Sequence, residues 1–289
     1  MTFAALRLLV IVGTPVGAGV SPPIWPAPVA ADTAFPAHRV IGNVYYVGSS
    51  NLASFLITTD QGHILVNSGF EHTVPLIQAS VERLGFRFAD IRILLASHAH
   101  ADHVGGHALV KRLTGAKVLV MAGDAEVVQS GGKGDAPQGR EWEPSPVDQV
   151  LRDRDEVKLG GIALTAWLTS GHTRGTTSWT LNVHEGDKRY DVVIIGGSGP
   201  RPDDRLVGNP TYPTIADDFA RTFQILKSLP CDEPLGPHGN YYGMEAKYAR
   251  WQADSTRNPF VDPQALPRMA STLEKRFQDQ LARQQPTRP

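Results

Sequence analysis

Apolar positions along the chain fall into short blocks with two different periods, and the period predicts the element. Asn43–Val47, Ala53–Thr58 and His63–Val66 are rich in β-branched and aromatic residues. Turn formers such as Asp60-Gln61-Gly62 part them, so each block predicts a short strand. Val74, Ile77, Val81 and Leu84 recur at three- and four-residue intervals and predict a helix over Thr73–Leu84. Ile91–Ala96 is an apolar run broken only by Arg92, which predicts a strand covered on both faces. A helix over Val104–Leu113 and a strand over Ala116–Met121 follow. Residues 129–149 mix glycine, proline and charge and predict a long loop. Strands resume at Ile162–Trp167, Ser178–Val183 and Val192–Ile195. Ile215, Phe219, Phe223 and Leu226 form the apolar stripe of a helix that Thr214 can cap, with Asp217 and Asp218 at its positive end. Met269, Leu273, Phe277 and Leu281 mark a last amphipathic helix over Leu266–Leu281. Two sheets with helices outside would accommodate this order, though periodicity alone does not establish that layout.

The N-terminus has a different character. Residues 1–20 read MTFAALRLLVIVGTPVGAGV, with Arg7 the only charge before Asp32. A positive start, an apolar middle and small residues after it are the pattern of a secretory leader. The apolar run is too short and too interrupted for a transmembrane helix. Cleavage is expected near Ala18 or after Ala31, and the proline-rich stretch 21–37 is expected to be extended. The expected organisation is a signal peptide and lead-in over 1–31 and a single domain over 32–289. The mature protein is expected to be soluble, periplasmic, free of the membrane and monomeric.

Composition narrows the function classes. The 289 residues are 41% hydrophobic, so the chain is globular, and Lys+Arg 28 against Asp+Glu 29 leaves a net charge of -1. That balance argues against a nucleic-acid partner, which a basic excess would signal. A lone cysteine, Cys231, excludes an internal disulfide and a Cys-rich zinc finger.

The ten histidines carry the chemistry. His98, His100, Asp102 and His103 stand within Ser97–His103, directly after the predicted buried strand. Imidazole and carboxylate are standard ligands of zinc, and four of them on one short loop invite two metals rather than one. Each metal needs further ligands. His172, in Thr169-Ser-Gly-His-Thr-Arg-Gly175, and His238, in Gly236-Pro-His-Gly-Asn240, sit on glycine-flanked polar loops and are the candidates. His107 is expected at a helix surface or supporting a ligand, with His103 still in loop. His38, His63, His72 and His184 have no spaced partners and are expected to be solvated.

The string HAHADH matches the HxHxDH signature of the metallo-β-lactamase superfamily. ASFLITTDQGHILVNSGF, SGHTRGTTSW, LVGNPTYP and LPCD further resemble subclass B3, over roughly residues 35–285. The resemblance implies an α/β four-layer αβ/βα sandwich of two mixed sheets flanked by helices. It implies two zinc ions per chain and hydrolysis of the β-lactam amide of antibiotics, hence β-lactam resistance. It assigns His98, His100 and His172 to the first zinc, and Asp102, His103 and His238 to the second, with Asp102 also orienting the attacking hydroxide. It gives Ser198 the substrate carboxylate. Glyoxalase II and many lactonases place a metal-bridging Asp near the Ser198 position, and subclass B1 places a Cys there; this chain reads Gly196-Gly-Ser198. A lactonase or thioester hydrolase on the same fold is the alternative. Three departures stand out. Asn67 replaces an Asp common in the superfamily, Pro200 replaces a second substrate-binding serine of some relatives, and Cys231 has no cysteine partner. Residues 131–146 are expected to cover the site, with Trp142 as a candidate contact.

Overall fold

The computed structural model describes residues 32–133 and 141–285. The leader over 1–31 and the middle of the 129–149 loop lie outside the described residues. The chain runs β1 (His38–Ile41), β2 (Val44–Tyr46), β3 (Phe55–Thr59), β4 (Gly62–Val66), α1 (Val74–Arg83) and β5 (Ile91–Leu95). It continues with α2 (Ala101–Val104), α3 (His107–Thr114), β6 (Lys117–Met121), α4 (Ala122–Ser130) and β7 (Gln149–Leu151). β8 (Glu156–Leu159), β9 (Ile162–Leu168), β10 (Thr177–Glu185), β11 (Lys188–Ile194) and α5 (Ile215–Ser228) follow. β12 (Glu233–Leu235), α6 (Met244–Ala253) and α7 (Ala265–Gln284) close the fold.

Strands β1 to β7 form one sheet in sequence order, and the other sheet runs β12-β11-β10-β9-β8. Both are mixed. β1 to β4 pair antiparallel and β4 to β7 parallel. In the second sheet only the β11–β12 pair is parallel.

The alternation of side chains explains the layers. Phe55, Ile57, Ile64, Val66, Leu119 and Met121 point between the sheets, where they meet Leu164, Trp179, Leu181, Val192 and Ile194. Their neighbours Leu56, Leu65, Leu94, Val118 and Val120 point the other way, onto Val74, Ile77, Val81, Val110 and Val128 of the helices. A strand buried on both faces reads as a nearly unbroken apolar run, and Ile91–Ala96 is apolar but for Arg92, which is exposed. On the far side of the second sheet, Val193 and Ile195 pack on Leu226, Leu266 and Ala270. Phe219 and Phe223 of α5 lock against Leu273 and Phe277 of α7. The result is the αβ/βα sandwich. Among the described residues no helix is long and apolar enough to cross a membrane.

Several elements carry no period. α4 buries only Asp124, Ala125 and Val128, so it has no apolar stripe. α6 buries Met244 and Lys247, and β12 is the three residues Glu-Pro-Leu. Burial also corrects three histidines. His38 is not solvated: it stacks between Tyr46 and Phe260 at 5.3 and 5.5 Å, and its Nδ1 donates to Pro36 O at 2.8 Å. His63 is 8% exposed and lies edge-on to Phe86. His107 is fully buried, with Nδ1 2.7 Å from Ser68 Oγ, so it is not a surface residue of α3. His72 and His184 are exposed, as expected.

Candidate metal centre

The site forms where β5, the loop after β9, the end of β11 and the loop after β12 deliver polar residues to one edge of the sandwich. Asn67 sets the first loop. Its φ of 65° is left-handed, a conformation that Asn tolerates better than most residues. Its Oδ1 accepts Ser97 N–H at 2.8 Å, and its Nδ2 donates to Ala53 O at 3.3 Å. Asn67 thus still supports the loop in place of the expected Asp, with one extra donor. Trp179 Nε1 donates to Ala96 O at 3.1 Å, and Thr177 N–H to Ser97 O at 2.8 Å, so β10 holds the loop from the other sheet.

His103 is not loop: Asp102 and His103 ride on α2, whose first turn starts at His100. His98 Nδ1 donates to Gly196 O at 2.7 Å, which leaves its Nε2 lone pair free for a metal. Gly171, at φ +125°, turns the chain just before His172, and a Cβ there would strike the Phe219 ring at 2.6 Å. Gly197 lies against the His172 ring, where a Cβ would sit 3.0 Å from the His172 Cβ.

Asp124 ties the two halves of this site together. Its carboxylate accepts Ala99 N–H at 2.8 Å, Thr173 Oγ1–H at 2.7 Å and Gly175 N–H at 2.8 Å. It therefore links the His98–His103 loop to the His172 loop. Nothing in the sequence signals this role, because Asp124 lies in a segment with no apolar period and its partners are 25 to 51 positions away.

The predicted residues converge in two groups: His98 with His100 and His172, and Asp102 with His103 and His238. Within each group the candidate ligand atoms lie within 4.8 Å of one another. The groups adjoin, with the His98 and His103 ring centroids 4.2 Å apart. Asp102 Oδ2 is 3.3 Å from His103 Nε2 and 3.6 Å from His238 Nε2. Ligands about 2.1 Å from a tetrahedral zinc stand about 3.4 Å from each other, so these separations suit a shared cation. His100 Nε2, His172 Nδ1 and both ring nitrogens of His103 are buried with no hydrogen-bond partner among the described residues. Each such orphan costs about 1–3 kcal/mol, a penalty that coordination removes at one nitrogen of each ring. Burial pushes His98, His103 and His172 well below the usual histidine pKa, helped by neighbouring imidazoles. His100 is lowered to about 3, first by burial and then by Arg201 and His238. Burial also lowers His238, against the opposing charge of Asp102. Neutral imidazoles are the form that binds metal.

Ser198 is half-buried, with its hydroxyl donating to Gly199 O at 3.3 Å. Tyr241 is a neighbour that the sequence did not single out. Its ring lies 4.9 Å from that of His238, and burial pushes its phenol up to about 12, a hydrogen bond with Ser198 opposing and Asp102 adding. Next to the first group a cavity of about 320 Å³ is lined by His100, His172, Thr173, Arg201, Asp204 and Tyr212, among others. Trp142 does not reach it; it packs over Gly132 and joins the core beneath α4.

Known proteins frame this geometry. A family profile described as the Metallo-beta-lactamase superfamily matches residues 49–233. The structure is similar to that of the native FEZ-1 metallo-beta-lactamase from Legionella gormanii. That match has a TM-score of 0.86 and 43% identity, over 89% of this chain and 99% of that one. It is also similar to BJP-1, a subclass B3 metallo-beta-lactamase of Bradyrhizobium japonicum, with a TM-score of 0.82 and 36% identity, over 88% of this chain and 96% of that one. Curated relatives point elsewhere. A hydroxyacylglutathione hydrolase of Rhodopseudomonas palustris (strain BisB5) is 27% identical over 175 residues, 61% of this chain. One of Anaeromyxobacter dehalogenans (strain 2CP-C) is 37% identical over 101 residues, 34% of this chain. The chain spans only 57% and 33% of their respective lengths.

Proposed function

Because the chain belongs to the metallo-beta-lactamase superfamily, we propose that it is a dizinc hydrolase of the β-lactam amide bond. The fold implies a divalent metal, usually zinc, and the His/Asp groups fit one in each triad. One observation carries the choice of substrate. The second triad contains a single carboxylate, Asp102, and the Gly196-Gly-Ser198 segment contributes a hydroxyl where thioester and lactone hydrolases of the superfamily are expected to have a bridging Asp. The extent of the likeness to FEZ-1 and BJP-1 supports the same choice.

His98, His100 and His172 would hold the first zinc, and Asp102, His103 and His238 the second. When bound, zinc supplies Lewis acidity toward the lactam carbonyl and lowers the pKa of a water from 15.7 toward about 7. Asp102 holds its carboxylate beside His103 and His238, where it would accept a hydrogen bond from the attacking water and orient it. Ser198 donates to the carboxylate on the substrate's ring nitrogen side. Gly196 O keeps His98 in one tautomer and one orientation. No side-chain nucleophile is required, so no covalent acyl-enzyme is expected. In this reading residues 1–31 export the chain, and it acts in the periplasm as a monomer that confers β-lactam resistance.

The test is hydrolysis of a carbapenem and a chromogenic cephalosporin by the purified chain, with zinc, with a chelator, and with His98→Ala. Ring opening that the chelator and the substitution both abolish is the expected result. A folded, zinc-loaded protein that opens neither ring overturns it. The curated relatives favour a second reading, thioester hydrolysis, for which an S-hydroxyacyl glutathione is the parallel substrate.

A further inference from the structure

Pro200 stands where some relatives have a second substrate-binding serine, and Arg201 comes next. Arg201 is unusually well held for a cation beside an active site. Its Nε and Nη2 donate to Asp204 Oδ1 at 3.1 and 3.0 Å, and its backbone N–H to Asp204 Oδ2 at 2.7 Å. The two side chains are only 14% and 8% exposed. Their turn is riveted to α7. Gln280 Nε2 donates to the carbonyls of Arg201 and Asp204 at 2.9 and 3.0 Å. Gln284 Nε2 donates to Asp204 O at 2.8 Å, and its Oε1 accepts Leu206 N–H at 2.7 Å. Most of the side-chain entropy that an arginine loses on binding is therefore already lost. Among the described residues Nη1 has no hydrogen-bond partner, and Arg201 lines the cavity beside His100 and His172. Asp204 balances its charge. The cavity's other carboxylate, Asp124, is taken up by Ala99, Thr173 and Gly175, while Arg174 adds a second cation.

The covalent order of a β-lactam says what enters this cavity. Its ring nitrogen bears the carbon that carries the carboxylate, and its carbonyl carbon bears the carbon that carries the acylamino group. With the nitrogen and carboxylate toward the second triad and Ser198, the acyl side chain must leave past the first triad. The cavity opens there.

We propose that this cavity receives the acyl side chain and that Arg201, through Nη1, binds an anionic group on it, so that the enzyme favours β-lactams with a carboxylated side chain. The proposal rests on the β-lactam reading above. Carboxybenzylpenicillin and benzylpenicillin form a matched pair, differing only by one carboxylate on that side chain. The readout is the ratio of their kcat/KM values for the wild type, Arg201→Gln and Arg201→Lys, with the zinc content of each protein measured alongside. The wild type is expected to prefer the carboxylated substrate. The ratio should fall about ten-fold or more in Arg201→Gln, the effect of one hydrogen bond to a charged group, and only partly in Arg201→Lys. A ratio that Arg201→Gln leaves unchanged, with both substrates slowed equally or neither slowed, overturns the proposal and spares the β-lactam reading. A zinc-loaded wild type that opens neither penicillin overturns that reading, and the proposal with it.

Discussion

Replacing Asp124 with Ala tests whether the histidine loops are held by the fold or by the metal. The carboxylate is 2% exposed and accepts two backbone N–H groups and one hydroxyl at 2.7–2.8 Å. The substitution strands the amides of Ala99 and Gly175 in the interior. Each unpaired buried donor costs about 1–3 kcal/mol, so the loss is about 4 kcal/mol. A domain of this size loses about 2–4 °C of melting temperature per kcal/mol, which gives a fall of about 8–16 °C. Calorimetry in excess chelator reads this term without metal. Ala99 and Thr173 flank His98, His100 and His172, so the first triad should also lose about 10- to 100-fold in zinc affinity. Competition against a chromophoric chelator reads that second term. Asp124→Asn keeps one acceptor oxygen and should recover part of both losses. A melting temperature within about 3 °C of wild type, together with unchanged zinc affinity, would refute the reasoning, because neither loop would then depend on this carboxylate.

Two further outcomes follow from buried groups. Glu233 is fully buried with no hydrogen-bond partner for either oxygen among the described residues, and burial pushes its carboxyl up to about 8, Lys247 opposing. A raised folded pKa contributes stability that is complete below the ordinary carboxylate range, about 4.3, and is lost as pH rises toward 8. Glu233→Gln should therefore flatten the fall in melting temperature between those limits; an unchanged slope would count against it. Asn67→Ala removes the acceptor for Ser97 N–H and forces a Cβ residue without that bond into a left-handed φ, a loss of about 2–3 kcal/mol in urea unfolding. Asn67→Asp keeps the acceptor and should lose less than half of that, and equal losses would sink the assignment of Oδ1 as the holding atom.

Legibility in the sequence followed burial. Ile91–Ala96 was readable because, apart from the exposed Arg92, its side chains pack on one or other face of β5, and α5 because Phe219 and Phe223 repeat on one face. α4 was not, because its buried residues include an acid that serves the neighbouring loops rather than the core. β12 was not, because a three-residue strand with a buried Glu carries no period. His38 and His63 were expected in solvent, and His107 at a helix surface or supporting a ligand. Their burial depends on partners such as Phe260, Phe86 and Ser68, far off in sequence or turned inward by the fold.

The sequence by itself determined the alternation of strands and helices, the clustering of His98, His100, Asp102 and His103, and the isolation of His172 and His238 on glycine-flanked loops. Those features are local, set by side-chain period and by spacing over a few residues. The family resemblance in the sequence had already divided the six residues into two groups; only the tertiary structure decided that the groups adjoin, that Asp124 joins their loops, and that Arg201 is clamped beside the first group. The links involved join residues far apart in sequence: Ala99 with Asp124, Arg201 with Gln280 and His98 with Gly196 stand 25, 79 and 98 positions apart. Such bonds form only when the two sheets close on their shared core, so nothing in the local pattern of the chain records them.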